Sequence, residues 1–521
     1  MQLKKMRINS CELYAKAESQ MTLDDDYNLP DYRPDIVKVL REKGELHFDE
    51  GKAAAGAAWI KGHLVFRILY RSDQSDGKVS CLKGEIPFQE KLNMDGVSEY
   101  DTIQVSGEIE DLSARVIHSR KINVRAVILL RAGEERETVK VVCTGTMEEE
   151  GIEQKYKKHR ALQLLCAMHD EYRQKNELLL PQGKPNIREI LWKSIELRNV
   201  DTWMERDGIR IKGEIEVSIL YQEEGENSKL QWYETMTPLD GTVECKAAPG
   251  ENVIFCVREQ QVQKELEVKP DADGEERMLV TELTVGLSIR VWQEQEVELL
   301  EDLYAPGKKL TPIFENVRLE RLLVKNDSTL RMMEQMKLAE DSEQILQICS
   351  CEGSVHIENT KMTEKGMFAE GILQVELLYI TADDQMPVGS AKEIFPFEQT
   401  IEIPEMAENS QNELDCTLGK LSAVMTDQNH VEMKAEITLA LLSFGEEEVR
   451  TVAEVQEEQP DLEELQKRPG LIGYIAKESG SLWEIAKENH TTVRDIMEEN
   501  GKTVDTVQRG ERILIIKKVE Y

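Results

Sequence analysis

The side chains that most often carry chemistry are present in this chain, but their spacing completes no reaction centre. Cys349-x-Cys351 with His356 could begin a metal site, since thiolate and imidazole both ligate zinc, yet a fourth ligand is lacking and the pattern recurs nowhere else. Unrelated thiols are the better reading. Asp24-Asp25-Asp26 lacks the central glycine and closing glutamate of a calcium loop, so a solvated face or turn is expected there. The eight histidines form no His-Glu-x-x-His, and neither Gly-x-Ser-x-Gly nor a phosphate-binding Gly-x-x-x-x-Gly-Lys occurs. With 100 Asp and Glu in the chain, neighbouring carboxylates carry no information. The expectation is a protein that is no enzyme and uses neither cofactor nor metal. One side chain invites a binding role. Trp483 follows Leu482 by about 100° of helix turn, which leaves two readings open: a core tryptophan of a small module, or a partly exposed one that touches a partner.

The elements that would position such residues are set by a nine-residue stretch occurring three times: Gly62-His-Leu-Val-Phe-Arg-Ile-Leu-Tyr70, Gly213-Glu-Ile-Glu-Val-Ser-Ile-Leu-Tyr221 and Gly371-Ile-Leu-Gln-Val-Glu-Leu-Leu-Tyr379. Alternate positions are apolar, the period of a strand with one buried face. The copies lie 151 and 158 residues apart, and a proline stands seventeen positions after each tyrosine, at Pro87, Pro238 and Pro396. Upstream, Leu29-Pro-Asp-Tyr-Arg-Pro-Asp-Ile-Val-Lys-Val-Leu40 matches Leu180-Pro-Gln-Gly-Lys-Pro-Asn-Ile-Arg-Glu-Ile-Leu191, whereas the third copy keeps only Ile345-Leu-Gln-Ile348. Such agreement means internal duplication, with a period far longer than a solenoid unit.

Length and charge narrow the function. A chain of 521 residues holds three or four domains. A net charge of −35 excludes an ordinary nucleic-acid binder, which needs a concentrated basic surface. It also disfavours anionic lipid, so membrane contact would pass through a partner. The segment from Gly470 to Tyr521 differs, with eight Lys/Arg against nine Asp/Glu. No signal peptide and no long apolar run is recognisable, so direct membrane insertion is not expected. The nine cysteines fall at different places in the repeats, which argues for reduced thiols and a cytosolic setting rather than a disulfide framework.

The fold expected is mainly β, with three tandem sandwich-like domains at residues 8–146, 159–303 and 314–454. Pro34 to Leu40 reads as a proline-led helical turn or two, Arg71 to Gly77 as a hairpin loop, and Pro87 as an edge position. Periodicity stops near Gly445, and residues 455–469 read as an acidic linker. A small βααβ module follows at 470–518. Ser481 with Glu484, and Thr492 with Asp495, supply capping boxes for its two helices.

The Leu-Pro-x-x-x-Pro-Asp/Asn-Ile stretch, followed by the Gly-to-Leu-Tyr strand, resembles the SPOCS domain of spore-forming bacteria; the third copy departs from it by losing both prolines. The tail, with Ser481-Leu-Trp-Glu-Ile-Ala486, Asn500 and Gly510-Glu-Arg-Ile513, resembles a LysM domain, with Glu478-Ser-Gly-Ser481 standing where such domains usually carry Pro-Gly-Asp. That resemblance implies a shallow groove between the loop before the first helix and the loop after the second. Here it would be lined by Ser479, Gly480, Ser481, Leu482, Trp483, Asn500, Gly501, Val507 and Arg509. SPOCS domains followed by LysM are similar to the SipL-like family of clostridial spore-coat morphogenetic proteins. The resemblance implies a non-enzymatic tether in the mother-cell cytoplasm at the forespore surface. Its LysM module would bind a SpoIVA-like coat ATPase, and an array of rigid SPOCS spacers would add avidity, other coat-protein contacts or self-association. The alternative is a peptidoglycan binder reading N-acetylglucosamine glycan, against which the missing export signal counts.

Overall fold

The structure is a computed structural model, and it describes the chain except residues 73–78, 148–149, 226–228, 248, 251, 339–343, 384–385, 406–409, 459–468 and 517–521. Each repeat consists of six strands. In the first they are β1 (Leu3–Asn28), β2 (Ile36–Ala54), β3 (Ala57–Ser72), β4 (Val79–Asn93), β5 (Gln104–His118) and β6 (Lys121–Thr146). The second has β7 (Glu153–Leu179), β8 (Ile187–Glu205), β9 (Gly208–Glu223), β10 (Leu230–Glu244), β11 (Val253–Pro270) and β12 (Glu276–Tyr304). The third has β13 (Lys309–Lys337), β14 (Ile345–Thr363), β15 (Gly366–Thr381), β16 (Val388–Glu402), β17 (Gln411–Met425) and β18 (His430–Glu458). In every repeat the second, third and fourth strands form an antiparallel meander, and the sixth strand lies between the first and fifth. The sheets face one another. Ile60, Leu64, Phe66 and Ile68 of β3 meet Ile122, Val124, Ala126, Ile128 and Leu130 of β6 in one core.

The repeated nonapeptide is the middle strand of each meander, β3, β9 or β15. Its leading glycine is a close-approach position: a Cβ on Gly62 would run into the His47 carbonyl and the Phe88 ring, and one on Gly371 into His356 and Phe397. Its closing tyrosine ties the strand to the proline stretch. Tyr70 Oη donates to the Pro34 carbonyl at 3.2 Å, and Tyr221 Oη to that of Pro185 at 3.2 Å. Pro87, Pro238 and Pro396 sit on β4, β10 and β16, the outer strands of their meanders, where a missing N–H leaves no ladder bond broken.

Two expectations are corrected. The stretch after Pro34 is strand, not helix: β2 carries register shifts between Ile36 and Lys38 and between Val39 and Arg41, and the same pair of shifts recurs in β8 and β14. Each extra residue resets the alternation, so inward positions fall three apart and imitate a helical period. The supposed linker also begins later. β18 continues to Glu458, with Val449, Val452 and Val455 buried and a bulge at Ala453 that breaks the period of two. The hairpin loop proposed at 71–77 lies mostly outside the described residues, and the linker beyond Glu458 does so as far as residue 468.

The three repeats are not separate spacers. The outer halves of their long first and sixth strands share one core, with Ile8 and Val142 from the first repeat, Ala161, Val297 and Leu299 from the second, and Leu319 and Val449 from the third. A second shared core joins Leu69, Leu220 and Leu378, the equivalent leucines of the three nonapeptides, with Val79, Leu230 and Val388. Equivalent residues meeting at a common centre is the arrangement of an approximate threefold, so duplication has produced a closed body rather than a string. The sequence pattern shows only each strand's buried face. The second apolar set, which meets the neighbouring repeats, looks the same as ordinary core.

Candidate functional site: the C-terminal module, its seat and the central ion network

The C-terminal module contains β19 (Leu471–Ile475), β20 (Gly480–Ser481), α1 (Leu482–Glu488), α2 (Val493–Glu499), β21 (Thr506–Val507) and β22 (Arg512–Ile516). Both expected caps form: Ser481 Oγ accepts from Trp483 N at 3.2 Å and Thr492 Oγ1 from Asp495 N at 3.0 Å. Leu482, Ile485, Ala486, Ile496, Val507, Ile513 and Ile515 form its core.

The nine residues expected to line a groove divide into three groups. Leu482, Trp483 and Val507 are buried. Asn500 holds the module together, since its Nδ2 donates to the Ile496 and Leu514 carbonyls and its Oδ1 accepts from Leu514 N, each at 2.7 Å. Ser479, Gly480, Ser481, Gly501 and Arg509 are exposed in the two loops. Those loops are bound to each other. Gly480 pairs with Val507, Ser479 Oγ accepts from Arg509 N at 3.0 Å, and Leu482 N donates to the Asp505 carbonyl at 2.7 Å.

Trp483 is only 6 % exposed because the module is seated on the second repeat. Its indole N–H donates to Asp302 Oδ2 at 2.8 Å, and its ring meets Tyr304 edge-on at a centroid distance of 4.9 Å. Lys487 Nζ reaches both oxygens of the same carboxylate, at 2.7 and 2.6 Å. Tyr304 Oη donates to the Thr491 carbonyl at 2.9 Å. Of the two readings for Trp483, burial is the one the packing gives, although its cover comes from β12 as well as from its own module. The equivalents of Asp302 and Tyr304 are Gly145 and Met147 in the first repeat and Glu454 and Gln456 in the third. Only the second repeat offers an aspartate and a tyrosine together.

One open face of the module carries apolar side chains, with Arg512 at its end. Leu471 and Ile475 on β19 and Leu514 on β22 lie on the outer face of a two-stranded sheet and are 63 %, 61 % and 37 % exposed.

A second cluster sits where the repeats converge. Arg41, Trp192 and Ser350 are equivalent positions, as are Lys43, Ser194 and Glu352. Glu352 pairs with Arg41 Nη2 at 3.2 Å and accepts from Lys43 Nζ at 2.6 Å and from Trp192 Nε1 at 3.2 Å. Arg41 also reaches Glu376 and Ser350 at 3.2 Å, and its guanidinium lies 5.0 Å from the Trp192 ring centre. Lys43 shares Glu196 with Lys264, at 3.1 and 3.0 Å. Burial alone would raise the Glu352 carboxyl, but Arg41 and Lys43 outweigh it and hold it at about 2. Burial likewise opposes the charge on Lys43, and Glu352 and Glu196 more than compensate, holding it above the usual lysine range. Sequence reasoning missed this network. Its signal was present as positions at one repeat offset whose side chains differ in complementary ways.

Among the described residues the cysteines join no cluster of metal-ligand side chains. All nine are free thiols, and burial pushes both Cys349 and Cys351 up to about 12. Cys349 occupies the position of Leu40 and Leu191, so it fills space that leucine fills elsewhere. His356 contacts Ser354 at 3.2 Å instead of joining the two thiols. Among the described residues no cluster of ligands could hold a metal ion, and no helix is long and apolar enough to cross a membrane.

Residues 35–117, 186–266 and 344–426 match the family model described as SipL, SPOCS domain. The matches begin at the entrance to the second strand of each repeat and end in or beside the fifth, and the third is recognised despite its lost prolines. No curated protein and no solved structure matches the chain. The chain is therefore a β-rich protein in which three repeated segments are similar to a SPOCS domain. More particularly, the three segments are similar to the SPOCS domain of SipL.

Proposed function

We propose that this chain is a non-enzymatic tether of spore-coat assembly, in which the SPOCS body is a rigid platform and the C-terminal module presents a contact surface for a SpoIVA-like coat ATPase. The observation that carries the reading is the exposed apolar strip of Leu471, Ile475 and Leu514, on a module whose tryptophan is already engaged by Asp302 and Tyr304. Exposed apolar surface of this kind, on a near-neutral module joined to a strongly acidic body, suits docking to another polypeptide. The body keeps the chain soluble at high local concentration while the tail is not repelled by an acidic partner. In this reading the protein works in the mother-cell cytoplasm at the forespore surface. It needs no cofactor, and other coat proteins or further copies would meet the SPOCS body.

The test is capture of the full-length protein on a SpoIVA-like ATPase and, in parallel, on purified cell wall. Leu514→Glu should lower ATPase capture by about tenfold, the loss of one well-packed anchor, with an unchanged melting temperature. Binding to wall alone, through the exposed Ser479 to Ser481 and Arg509 loops and indifferent to Leu514→Glu, would replace the tether with the glycan-binding alternative.

A further inference from the structure

The three junctions between repeats are built from equivalent positions, and they differ in charge. At the junction of the third and first repeats those positions hold Glu376, Lys392 and Glu42, which line one cavity of about 290 Å³. At the junction of the first and second repeats the same positions hold Arg67, Lys83 and Lys193. Arg67 and Lys83 are direct cross-strand partners on β3 and β4, just as Glu376 and Lys392 are on β15 and β16. Lys193 enters from β8 of the neighbouring repeat, as Glu42 enters from β2.

Like charges directly opposed on a sheet repel one another unless something neutralises them. At other contacts between the repeats, cations are neutralised. Lys43, the next residue in this row, is taken by Glu196 and Glu352. In a cavity of about 420 Å³ touched by all three repeats, Arg290 pairs with Glu413, and Arg258 with Asp415 at 2.9 Å. For Arg67, Lys83 and Lys193 there is no carboxylate within ion-pair distance among the described residues. The carboxylates whose charge is felt by the two lysines are Glu45, Glu265 and Glu189, and Glu189 is held by Arg33 at 2.6 Å. Arg67 Nη1 is buried with no hydrogen-bond partner, which is costly for a guanidinium. Lys83 is exposed, so the cluster opens to solvent.

We propose that the junction between the first and second repeats is an anion site, at which Arg67, Lys83 and Lys193 bind a phosphate-class oxyanion. The planar guanidinium supplies a paired donor to two phosphate oxygens, and the lysines, one from each repeat, supply point charges at either side. The lysines show the effect of the missing counter-charge: loss of hydration first, and Arg67 next, pull both ammonium groups below their usual range. An anion there would bridge two repeats and close a junction that is otherwise self-repelling.

Titration calorimetry of the full-length protein with inorganic phosphate, at constant ionic strength and against chloride, tests the site. Saturable binding is expected, weakened about tenfold by Lys193→Gln and by Lys83→Gln, the loss of one charged hydrogen bond each. Lys392→Gln, at the equivalent position of another junction, should leave it unchanged. Because Lys83 is exposed, its variant remains informative should Lys193→Gln fail to fold. Repeating the titration with pyrophosphate distinguishes a diphosphate group from free phosphate as the source: tighter binding selects the former, and equal binding the latter. No saturable heat with either probe, or an equal loss in Lys392→Gln, overturns the proposal, as does binding of an oligoglutamate peptide in their place.

Discussion

Asp302 does three jobs with one carboxylate: it accepts the Trp483 indole N–H, pairs with Lys487 and, through Oδ1, accepts from Leu303 N at 2.9 Å. Asp302→Ala leaves a buried indole donor and a lysine without their acceptor, and should cost the seated module about 2 kcal/mol. Hydrogen exchange in Leu482–Glu488 should then quicken while the strands of the body keep their protection. Asp302→Asn, which retains an acceptor for the indole but not the charge for Lys487, should fall between. The sequence shows a tryptophan at an ambiguous angle on a helix, and nothing local resolves it, because the residues that cover it lie some 180 positions upstream on a strand of another repeat.

At the scale of elements, the proline stretch and the nonapeptide are two halves of one fastening. Arg120 completes it in the first repeat by donating to the Arg33 and Pro30 carbonyls and to Asp35, each at 2.9 Å, and Arg277 takes the same place in the second, reaching the Pro181 carbonyl at 2.8 Å. The third repeat has Asn429 there, so its prolines and its arginine are lost together. Tyr70→Phe and Tyr221→Phe should each cost about 1 kcal/mol, one neutral hydrogen bond, read as equal shifts of the urea midpoint. Arg120→Ala, which strands several acceptors at once, should cost more. The strand identity of the nonapeptide was legible because its alternation is unbroken over nine residues. The neighbouring β2 was not, because its bulges at Val37 and Leu40 disguise the period. The helices of the tail were legible because a cap and a short apolar face suffice to define them.

For the whole molecule, stability should depend on acid through the central network. Glu352 sits at about 2 when folded and near the ordinary 4.5 when unfolded, so the unfolded chain binds more protons below pH 4.5. Its contribution is complete above that value and is lost as pH falls toward 2. Glu196, held below its usual range by Lys43 and Lys264 against the opposing effect of burial, adds in the same direction. Glu352→Gln should be less stable at pH 7 by about 3 kcal/mol, since it leaves Arg41 and Lys43 without their shared partner, but its urea midpoint should change less between pH 5 and pH 2.5 than that of the parent. The closed arrangement of the repeats could not be read beforehand. A tandem array and a ring share one strand pattern, and only the pairing of unlike residues at like positions tells them apart.

The seat on β12 gives the molecule a mechanical asymmetry. The tail follows the third repeat in the chain, yet it is fastened to the second, at the end of β12 close to where β18 ends against Lys309. A load applied through that tail would reach the Asp302 fastening before any of the long strand ladders. That contact would act as a fuse, yielding first and leaving the trefoil behind it whole.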